Sequence, residues 1–291
     1  KYRANNKILK TLKPKKGIVN AILDTDTFNE IDDQFALVQM LFSKKRINTL
    51  SINAAPFSMN SRSDDPQTGM ELSYDEIIRL LEKINFKKNN FVFKGSKEYV
   101  GFEKKPINSP AADNIIESAL KYSEDDPLYI IAIGAITNVA SAILKEPEII
   151  NKIVVVWLGG NALYWPNNDE FNLKQDIGGS QVLFDSGVSL ILVPCKGVTS
   201  HLISTVPEIE KYIEPQGKIG EFLAMRFKEY NNNHKGWSKE IWDMAAISWV
   251  LNEEWAPTNI VPSPILLDNK NWAFDENRHP VKIVYEIKRD L

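Results

Sequence analysis

Short apolar segments that alternate with amphipathic helical stretches restrict the fold of this chain more than any other feature. Six apolar segments are rich in β-branched residues and are predicted strands: GIVNAILDTD, INTLSINAAPF, NNFVFKG, PLYIIAIG, KIVVVWLGG and VSLILVPC. Helical spacing of apolar residues predicts helices over 33–42, 70–84, 111–122, 138–144 and 181–185. This alternation is typical of parallel sheets covered by helices. We therefore predict an α/β fold with a mainly parallel central sheet flanked by helices.

The chain gives no sign of a boundary between domains. Its 291 residues, 43% of them hydrophobic, are enough for one large core. It contains no internal repeat, no low-complexity tract and no linker, and the polar segment 60–67 is interpreted as a loop. Residues 261–287 are predicted to form proline-rich turns and an antiparallel edge pair. We therefore predict a single domain over residues 1–291.

Charge and composition argue against several classes of partner. The 35 Lys and Arg and 38 Asp and Glu give a net charge of −3, without the basic stripe of a nucleic-acid-binding protein. No uninterrupted apolar run is long enough to cross a bilayer. The single cysteine, Cys195, excludes an internal disulfide and favours a reducing compartment, so we predict a cytoplasmic location. The basic first residues lack the apolar core of a signal sequence, but the chain does not begin with Met and leaves the question of a leader open.

One segment, AILDTDTFNEIDDQFALVQM at residues 21–40, concentrates negative charge where a predicted strand meets a predicted helix. Its acids are Asp24, Asp26, Glu30, Asp32 and Asp33, and no Lys or Arg occurs between residues 17 and 43. Crowded carboxylates repel one another, and their pKa values rise unless a cation or many donors compensate. One acid could cap the helix, but a cap does not account for the others. A hard divalent metal such as Ca²⁺ does, and zinc fits less well because the chain has three His and one Cys.

Three further segments are expected at the same edge of the sheet. Residues 54–57, 132–134 and 158–161 each follow a predicted strand. Ligands of open α/β sheets bind beyond the carboxyl ends of the strands. We therefore predict one crevice in which these segments meet the acids.

The strand followed by Asp24-x-Asp26 resembles, in isolation, the start of the haloacid-dehalogenase-like phosphatases. In that family the first Asp is a nucleophile and Mg²⁺ is bound. The motif requires Thr or Val at the position of Phe28, and it has no use for the pair Asp32 and Asp33. This alternative is the weaker one.

Four motifs in order resemble the inosine–uridine-preferring nucleoside hydrolases. The first is Asp-x-Asp followed by a short loop, Asp-Asp and an apolar helix. Residues 131–161 resemble the family's Gly-x-x-Thr-Asn helix and Gly-Gly strand exit. Residues 169–194 are similar to its Glu-Phe-Asn segment, and residues 240–250 resemble the late helix that carries its last metal-binding Asp. Motifs in the correct order are far more specific than any one of them.

The resemblance implies a Rossmann-like core and a homo-oligomeric enzyme of purine salvage. The enzyme would bind ribonucleosides as small-molecule substrates and hydrolyse their N-glycosidic bond to base and ribose with one bound Ca²⁺. Asp26 would bind Ca²⁺ and act as general base on a water. The other metal ligands would be Asp33, the Ile133 carbonyl and Asp243, with Asp24 in support.

The resemblance also implies which residues bind the substrate. Ribose hydroxyls would be held by Asp32, Glu170 and Asn172. Carboxylates around the sugar suit this chemistry, because cleavage of a ribosyl C–N bond passes through an oxocarbenium-like state. Trp242 stands where several members have a His that protonates the leaving base and where purine-preferring members have Trp. We predict that Trp242 stacks on a purine, with a position in the core as the alternative.

Two departures from the family leave contacts unassigned. The loop at residues 27–31 is two residues longer than in the family, and we predict that it borders the substrate crevice. The family's Gly-Asn before Glu-Phe-Asn is not clearly present, so the third sugar contact stays open. The candidates for it are Asn161, Asn167 and Asn168, and Ser58 or Asn60 could replace the family's Asn after the second strand.

Three functions remain open at this point. The first is a nucleoside N-ribohydrolase. The second is a non-catalytic Ca²⁺-dependent binder of ribose or nucleosides, and the third is a hydrolase of a different N-riboside admitted by the altered loops. The leaving-group acid is unassigned. His234 lies in a polar loop and could reach the leaving group, although solvation at the surface is the simpler interpretation.

Overall fold

The computed structural model describes residues 4–291 and confirms the predicted α/β architecture. Residues 1–3 of the basic N-terminal stretch lie outside the described part. The strands are β1 (Val19–Thr25), β2 (Ile47–Ala54), β3 (Val92–Phe93), β4 (Leu128–Ala132), β5 (Ile153–Leu158), β6 (Ser189–Val193), β7 (Ile203–Thr205), β8 (Ser238–Glu240), β9 (Thr258–Pro262), β10 (Ile265–Leu266), β11 (Trp272–Ala273) and β12 (Pro280–Val284). The helices are α1 (Asn5–Thr11), α2 (Asp32–Phe42), α3 (Pro66–Lys83), α4 (Pro110–Ala119), α5 (Thr137–Lys145), α6 (Phe171–Gln175), α7 (Ile177–Asp185), α8 (Val206–Tyr212), α9 (Gly217–Glu229) and α10 (Met244–Leu251).

The central sheet has eight strands in the order β3-β2-β1-β4-β5-β6-β12-β9. Every neighbouring pair is parallel except β12 and β9, which pair antiparallel at one edge. The predicted C-terminal edge pair is therefore present, but β12 also joins β6 in parallel, which the sequence did not indicate. Two small sheets, β10-β11 and β7-β8, complete the strands of the described residues.

The inner strands are buried on both faces, which explains their nearly continuous apolar sequences. Along β4, Tyr129 and Ile131 pack into one hydrophobic cluster, and Ile130 and Ala132 pack into the other. Side chains alternate in the same way along β5. This two-sided burial is the period-two geometry of a strand with helices on each side.

Helix boundaries differ from the sequence predictions where capping residues extend the helices. Helix α3 begins four residues before the predicted start, at Pro66, because the Asp65 side chain accepts from the Thr68 N–H and Pro suits the first helical position. Helix α7 likewise begins early, where Asp176 accepts from the Gly179 N–H. The segments of α1, α6, α8 and α9 are helices that the sequence did not predict; Asn172 was expected in an extended segment but lies in α6 because the Glu170 side chain caps that helix. No helix among residues 4–291 is long and apolar enough to cross a membrane.

The order in which strands are added to the sheet reverses between β1 and β4, and the site lies at this point. From β1 the chain builds outward to β2 and β3, then returns to place β4 on the other side of β1. Asp24 pairs with Ala132 across these strands, and the Ile133 N–H donates to the Asp24 carbonyl at 2.9 Å. Such a switch point opens a crevice at the strand ends. The assignment of the whole chain to one domain stays a prediction.

Candidate active site

A small cavity lies at the carboxyl ends of β1 and β4 and encloses about 30 Å³. The lining residues are Asp26, Asn29, Glu30, Asp32, Asp33, Ile133, Glu170, Phe171, Asn172, Trp242 and Asp243. Every residue that the sequence assigned to the metal or the substrate is among them, and Asp24 lies directly behind. Of the three strand exits predicted to meet the acids, only residues 132–134 contribute to the lining, through Ile133, and no residue of 54–57 or 158–161 lines the cavity.

Three carboxylates at this cavity lie close enough to share one cation. One oxygen from each of Asp32, Asp33 and Asp243 lies within 4.8 Å of the others, and all three residues are buried. Asp32 and Asp33 occupy the first turn of α2, and Asp243 directly precedes α10. Neither helix start has a side-chain cap hydrogen bond, so helix capping does not explain these acids.

Asp26 is the most poorly compensated acid of the site. Its side chain is 1% exposed, and neither carboxylate oxygen has a hydrogen-bond partner among the described residues. Gly134 allows this position, because a Cβ there would lie 2.7 Å from Asp26 Oδ1. Burial, followed by the charge of Asp33, raises the pKa of Asp26 well above its usual value. A buried carboxylate without donors is what a cation would compensate.

The neighbouring acids also have pKa values above the ordinary value of a carboxyl group. Burial raises the pKa of Asp24 and of Asp32 to about 7 and that of Asp33 to about 6. The positive ends of α2 and α10 are worth up to about 2 kcal/mol each. Removing a carboxylate from water costs several kcal/mol, so helix dipoles alone do not ionise this cluster. A bound metal ion fits the donor set, which consists of oxygen atoms alone.

We expect the metal-free protein to lose stability as pH rises from about 4, the ordinary carboxyl pKa, to about 7. The raised pKa values mean that Asp24, Asp32 and Asp33 stabilise the fold while protonated and lose that contribution as they ionise. Thermal unfolding in a chelator should therefore give a Tm that falls across this range. Asp32→Asn should flatten the fall, and Asp64→Asn, which alters an exposed acid, should not. A Tm that rises with pH in the chelator would contradict this assignment.

Asp24 is held by residues of the Thr-Asn motif. The Asn138 side-chain N–H donates to Asp24 Oδ2 at 3.0 Å, and Asn138 Oδ1 accepts from the Ser96 backbone and hydroxyl. Thr137 donates to Asp176 at 2.7 Å. The Gly-x-x-Thr-Asn motif therefore holds two buried acids, Asp24 and Asp176.

Glu170 and Asn172 form one wall of the cavity through backbone contacts. The Glu170 carboxylate accepts from three backbone N–H groups, those of Asn172, Leu173 and Gly160, at 2.9, 2.9 and 2.7 Å. The Asn172 amide donates to the carbonyls of Ile133 and Leu158 at 3.1 and 3.0 Å. The Ile133 carbonyl keeps a second lone pair for a metal.

The longer loop at residues 27–31 reaches the cavity with two of its side chains, those of Asn29 and Glu30. Phe28 is not among the lining residues. Its ring centroid is 5.1 Å from the guanidinium carbon of Arg62 and 5.2 Å from that of Arg226. Arg62 also donates to the Phe28 carbonyl at 2.6 Å. The loop is therefore anchored on its outer side and polar on its inner side.

The candidates for the third sugar contact do not line the cavity, and they bond to other residues except at Asn168 Nδ2, which is buried without a partner among the described residues. The Asn161 N–H donates to Asn168 at 2.6 Å, and the Asn161 amide donates to the Asn167 carbonyl. Asn60 donates to Asn29 at 2.6 Å, and the Ser58 N–H donates to Gln175. These asparagines shape loops around the site.

His234 and Lys239 differ in their relation to the cavity. His234 is exposed, bonded to the Lys228 carbonyl and stacked on Trp237. Lys239, which the sequence analysis missed, is buried and bonded to Glu30 at 2.6 Å. The two partners are 209 positions apart in the chain, so no local pattern could have paired them.

A wider groove elsewhere lacks the chemistry of this cavity. It encloses about 520 Å³ and is lined mainly by apolar side chains such as Phe35, Ile209 and Met244. It contains no cluster of acids, so its size does not make it the better candidate.

Comparison with known proteins supports the same family as the motifs. A family model described as inosine-uridine preferring nucleoside hydrolase matches residues 67–290, a range that begins after the acidic segment. The non-specific ribonucleoside hydrolase RihC of Salmonella paratyphi A is 25% identical over 161 residues, which cover 54% of this chain and 51% of that protein. The chain thus spans about half the length of the curated relatives it matches.

Two solved structures share the fold along nearly the whole chain. A plant nucleoside hydrolase, the PpNRh1 enzyme, is 18% identical with a TM-score of 0.73, over 94% of this chain and 95% of that one. The purine-preferring ribonucleoside hydrolase from Gardnerella vaginalis is 18% identical with a TM-score of 0.72, over 93% and 94%. At this identity the likeness shows the fold.

Proposed function

This chain belongs to the inosine-uridine preferring nucleoside hydrolase family, as its motifs predicted, and we propose that it hydrolyses the N-glycosidic bond of ribonucleosides in a Ca²⁺-dependent reaction. The observation that carries the proposal is the buried acid cluster beside Asp26, whose carboxylate oxygens have no partner among the described residues. A cation compensates such a cluster, and a carboxylate next to it is placed to accept a proton.

The ligand set favours calcium over softer metals. Asp33, Asp243, Asp26 and the Ile133 carbonyl offer hard oxygen atoms around one cavity. Asp32, which the motifs assigned to ribose, lies within the same group of carboxylates and could serve either purpose. When bound, Ca²⁺ would supply positive charge that orients vicinal ribose hydroxyls and a water.

Side chains of this protein would then carry out the remaining steps. Asp26 takes a proton from the attacking water, because its carboxylate lines the cavity and neither of its oxygens is occupied by a donor among the described residues. Glu170 and Asn172, which line the same cavity, hold ribose hydroxyls. Their fixed backbone contacts place them before the sugar arrives, which reduces the cost of ordering the site.

Substrate entry requires the mouth of the cavity to widen. The enclosed 30 Å³ is close to the volume of one water molecule, and small-molecule pockets are usually about ten times larger or more. Trp242 is half-buried at this mouth, so we expect its ring to move aside when a nucleoside binds, while Glu30 keeps its ion pair with Lys239.

We expect purine ribosides to be cleaved better than pyrimidine ribosides because of Trp242. The side chain lines the cavity and is half-buried, and stacking on a larger base is worth about 1 kcal/mol beyond area burial. Trp242→Ala should reduce kcat/KM for inosine and leave Ca²⁺ binding unchanged, because Asp243 still provides its carboxylate. Trp165→Ala, which removes a partly exposed Trp outside the cavity, is the matched control. Equal turnover of inosine and uridine, unaltered by Trp242→Ala, would mean that Trp242 is a packing residue.

Release of free base from a panel of ribonucleosides tests the proposal. The parent protein with Ca²⁺ should release hypoxanthine from inosine together with ribose. Nucleoside binding without release would instead support a non-catalytic binder. Release only from another N-riboside would support the third function considered above.

The proposal also includes the cellular location and the oligomeric state of the protein. The single cysteine fits a reducing compartment, so we propose a cytoplasmic role in purine salvage. From the family resemblance we also propose that the protein forms a homodimer or homotetramer.

A further inference from the structure

Lys239 brings a buried positive charge to the mouth of an otherwise acidic site. Its side chain is 7% exposed, and its ammonium group is bonded to Glu30 at 2.6 Å and donates to the Glu240 carbonyl at 3.2 Å. Burial lowers the pKa of Lys239, but the charges of Asp32 and Glu30 outweigh that effect and raise it above its usual value. The side chain is therefore a permanent cation at neutral pH.

The charge of Lys239 lies next to the aromatic side chain assigned to the leaving base. Its Nζ is 5.5 Å from the centre of the Trp242 ring and 5.2 Å from the centre of the Tyr230 ring. Two of its three N–H groups are used by Glu30 and Glu240. One donor is left for a molecule that stacks at Trp242.

The longer loop holds this lysine in place. Glu30 is the loop residue that bonds Lys239, and the Tyr230 hydroxyl approaches the other oxygen of Glu30 at 3.4 Å. The loop itself is anchored through the contacts of the Phe28 ring with Arg62 and Arg226. Arg226 in turn forms an ion pair at 3.5 Å with Glu76, a fully buried acid, so these contacts connect the loop to the protein interior.

We propose that Lys239, positioned by Glu30, stabilises the departing base. This inference rests on the proposed hydrolase function and assigns the leaving-group contact that the motifs left open. The ammonium group donates a hydrogen bond to a ring acceptor of a purine stacked on Trp242. Pyrimidines carry fewer ring acceptors and cover less of Trp242, so the contact also favours purines.

The step balances without a proton from Lys239. The bond between ribose C1′ and the base nitrogen breaks, and its electron pair leaves with the base. The water oxygen forms the new bond to C1′, and Asp26 takes the proton of that water. The departed base gains a proton from solvent as Asp26 releases one. Lys239 supplies charge to the developing anion throughout, which is the kind of interaction that accelerates a reaction most.

The test compares two ribosides that differ in their leaving groups. Inosine needs help to release its base, whereas 4-nitrophenyl riboside carries a leaving group that is already stable as an anion. Lys239→Met removes the charge and keeps the stem. It should lower kcat for inosine about 100-fold, as for the loss of one transition-state donor. The loss of kcat for 4-nitrophenyl riboside should be about 10-fold or less.

Three further variants keep the test decisive. Lys239→Arg should recover part of the loss with inosine, because it restores the charge. Glu30→Gln should reproduce the selective loss in weaker form, because it only frees the lysine. Lys235→Met, which removes an exposed lysine nearby, should change neither substrate.

Equal losses on the two substrates would overturn the proposal, since they would place the effect of Lys239 in the fold, the metal site or the sugar site. No loss on inosine would overturn it as well. If the parent protein cleaves 4-nitrophenyl riboside but no nucleoside, both the leaving-group role and nucleoside hydrolysis fail, and only O-riboside hydrolysis stands. If it cleaves neither, the proposed function itself fails.

Discussion

Replacing Asp26 by Asn is expected to lower kcat for inosine by about 10²–10⁴-fold, the usual contribution of a general base. The Asp26 carboxylate is buried, lacks hydrogen-bond donors and has a pKa raised by burial and by Asp33. Asn keeps the shape and one ligand oxygen but cannot accept the proton of water. We therefore expect Ca²⁺ still to bind, more weakly, while turnover is lost. Single-turnover release of hypoxanthine with saturating Ca²⁺ measures this loss.

Asp169→Asn is the matched control for that experiment. Asp169 adjoins the site in sequence but is half-exposed and paired with Lys174 and Lys270. Its replacement should leave kcat within about two-fold of the parent value, as for most surface substitutions. An Asp26→Asn protein with near-parental turnover would show that another group accepts the proton.

Replacing Asp33 by Ala is expected to abolish Ca²⁺ binding and activity together. Asp33 lies within the group of carboxylates that includes Asp32 and Asp243, and it offers two oxygens for bidentate contact. Its removal should also leave the folded, metal-free protein no less stable at pH 7, because one repelling buried acid is gone. Calcium binding by titration calorimetry and Tm with and without Ca²⁺ measure the two effects.

Thr25→Val serves as the control for Asp33→Ala. The Thr25 hydroxyl donates to Asp33 at 2.5 Å, so this variant disturbs the same carboxylate without removing it. We expect weaker Ca²⁺ binding and partial activity. An Asp33→Ala protein that binds Ca²⁺ as tightly as the parent would remove Asp33 from the metal site.

Most strands of the sheet could be predicted from local sequence, because they are continuous apolar segments between turn residues. Strands β4 and β5 are buried on both faces, so their sequences are apolar throughout and bounded by turn residues. Helix starts were less accurate, since the caps Asp65 and Asp176 lie outside the apolar repeat from which the helices were predicted. The parallel pairing of β12 with β6 depends on a long-range return of the chain that no local period encodes.

The acids of the site could be found from sequence because five of them stand close together without a compensating charge. Their partners could not. Lys239 compensates Glu30 from the far end of the chain, and Arg62 and Arg226 reach Phe28 from two other segments. The backbone contacts that occupy Glu170 also depend on the turn at Gly160, which only the folded chain defines.

The most direct test of the central claim is a titration of Ca²⁺ into chelator-treated protein in the presence of inosine, with bound calcium and released ribose measured together. The account predicts no ribose without metal and a rate that rises in proportion to bound Ca²⁺ until one ion is bound per chain. Full ribose release in the chelator, or one tightly bound Ca²⁺ with no release from inosine or any other purine riboside, would contradict it.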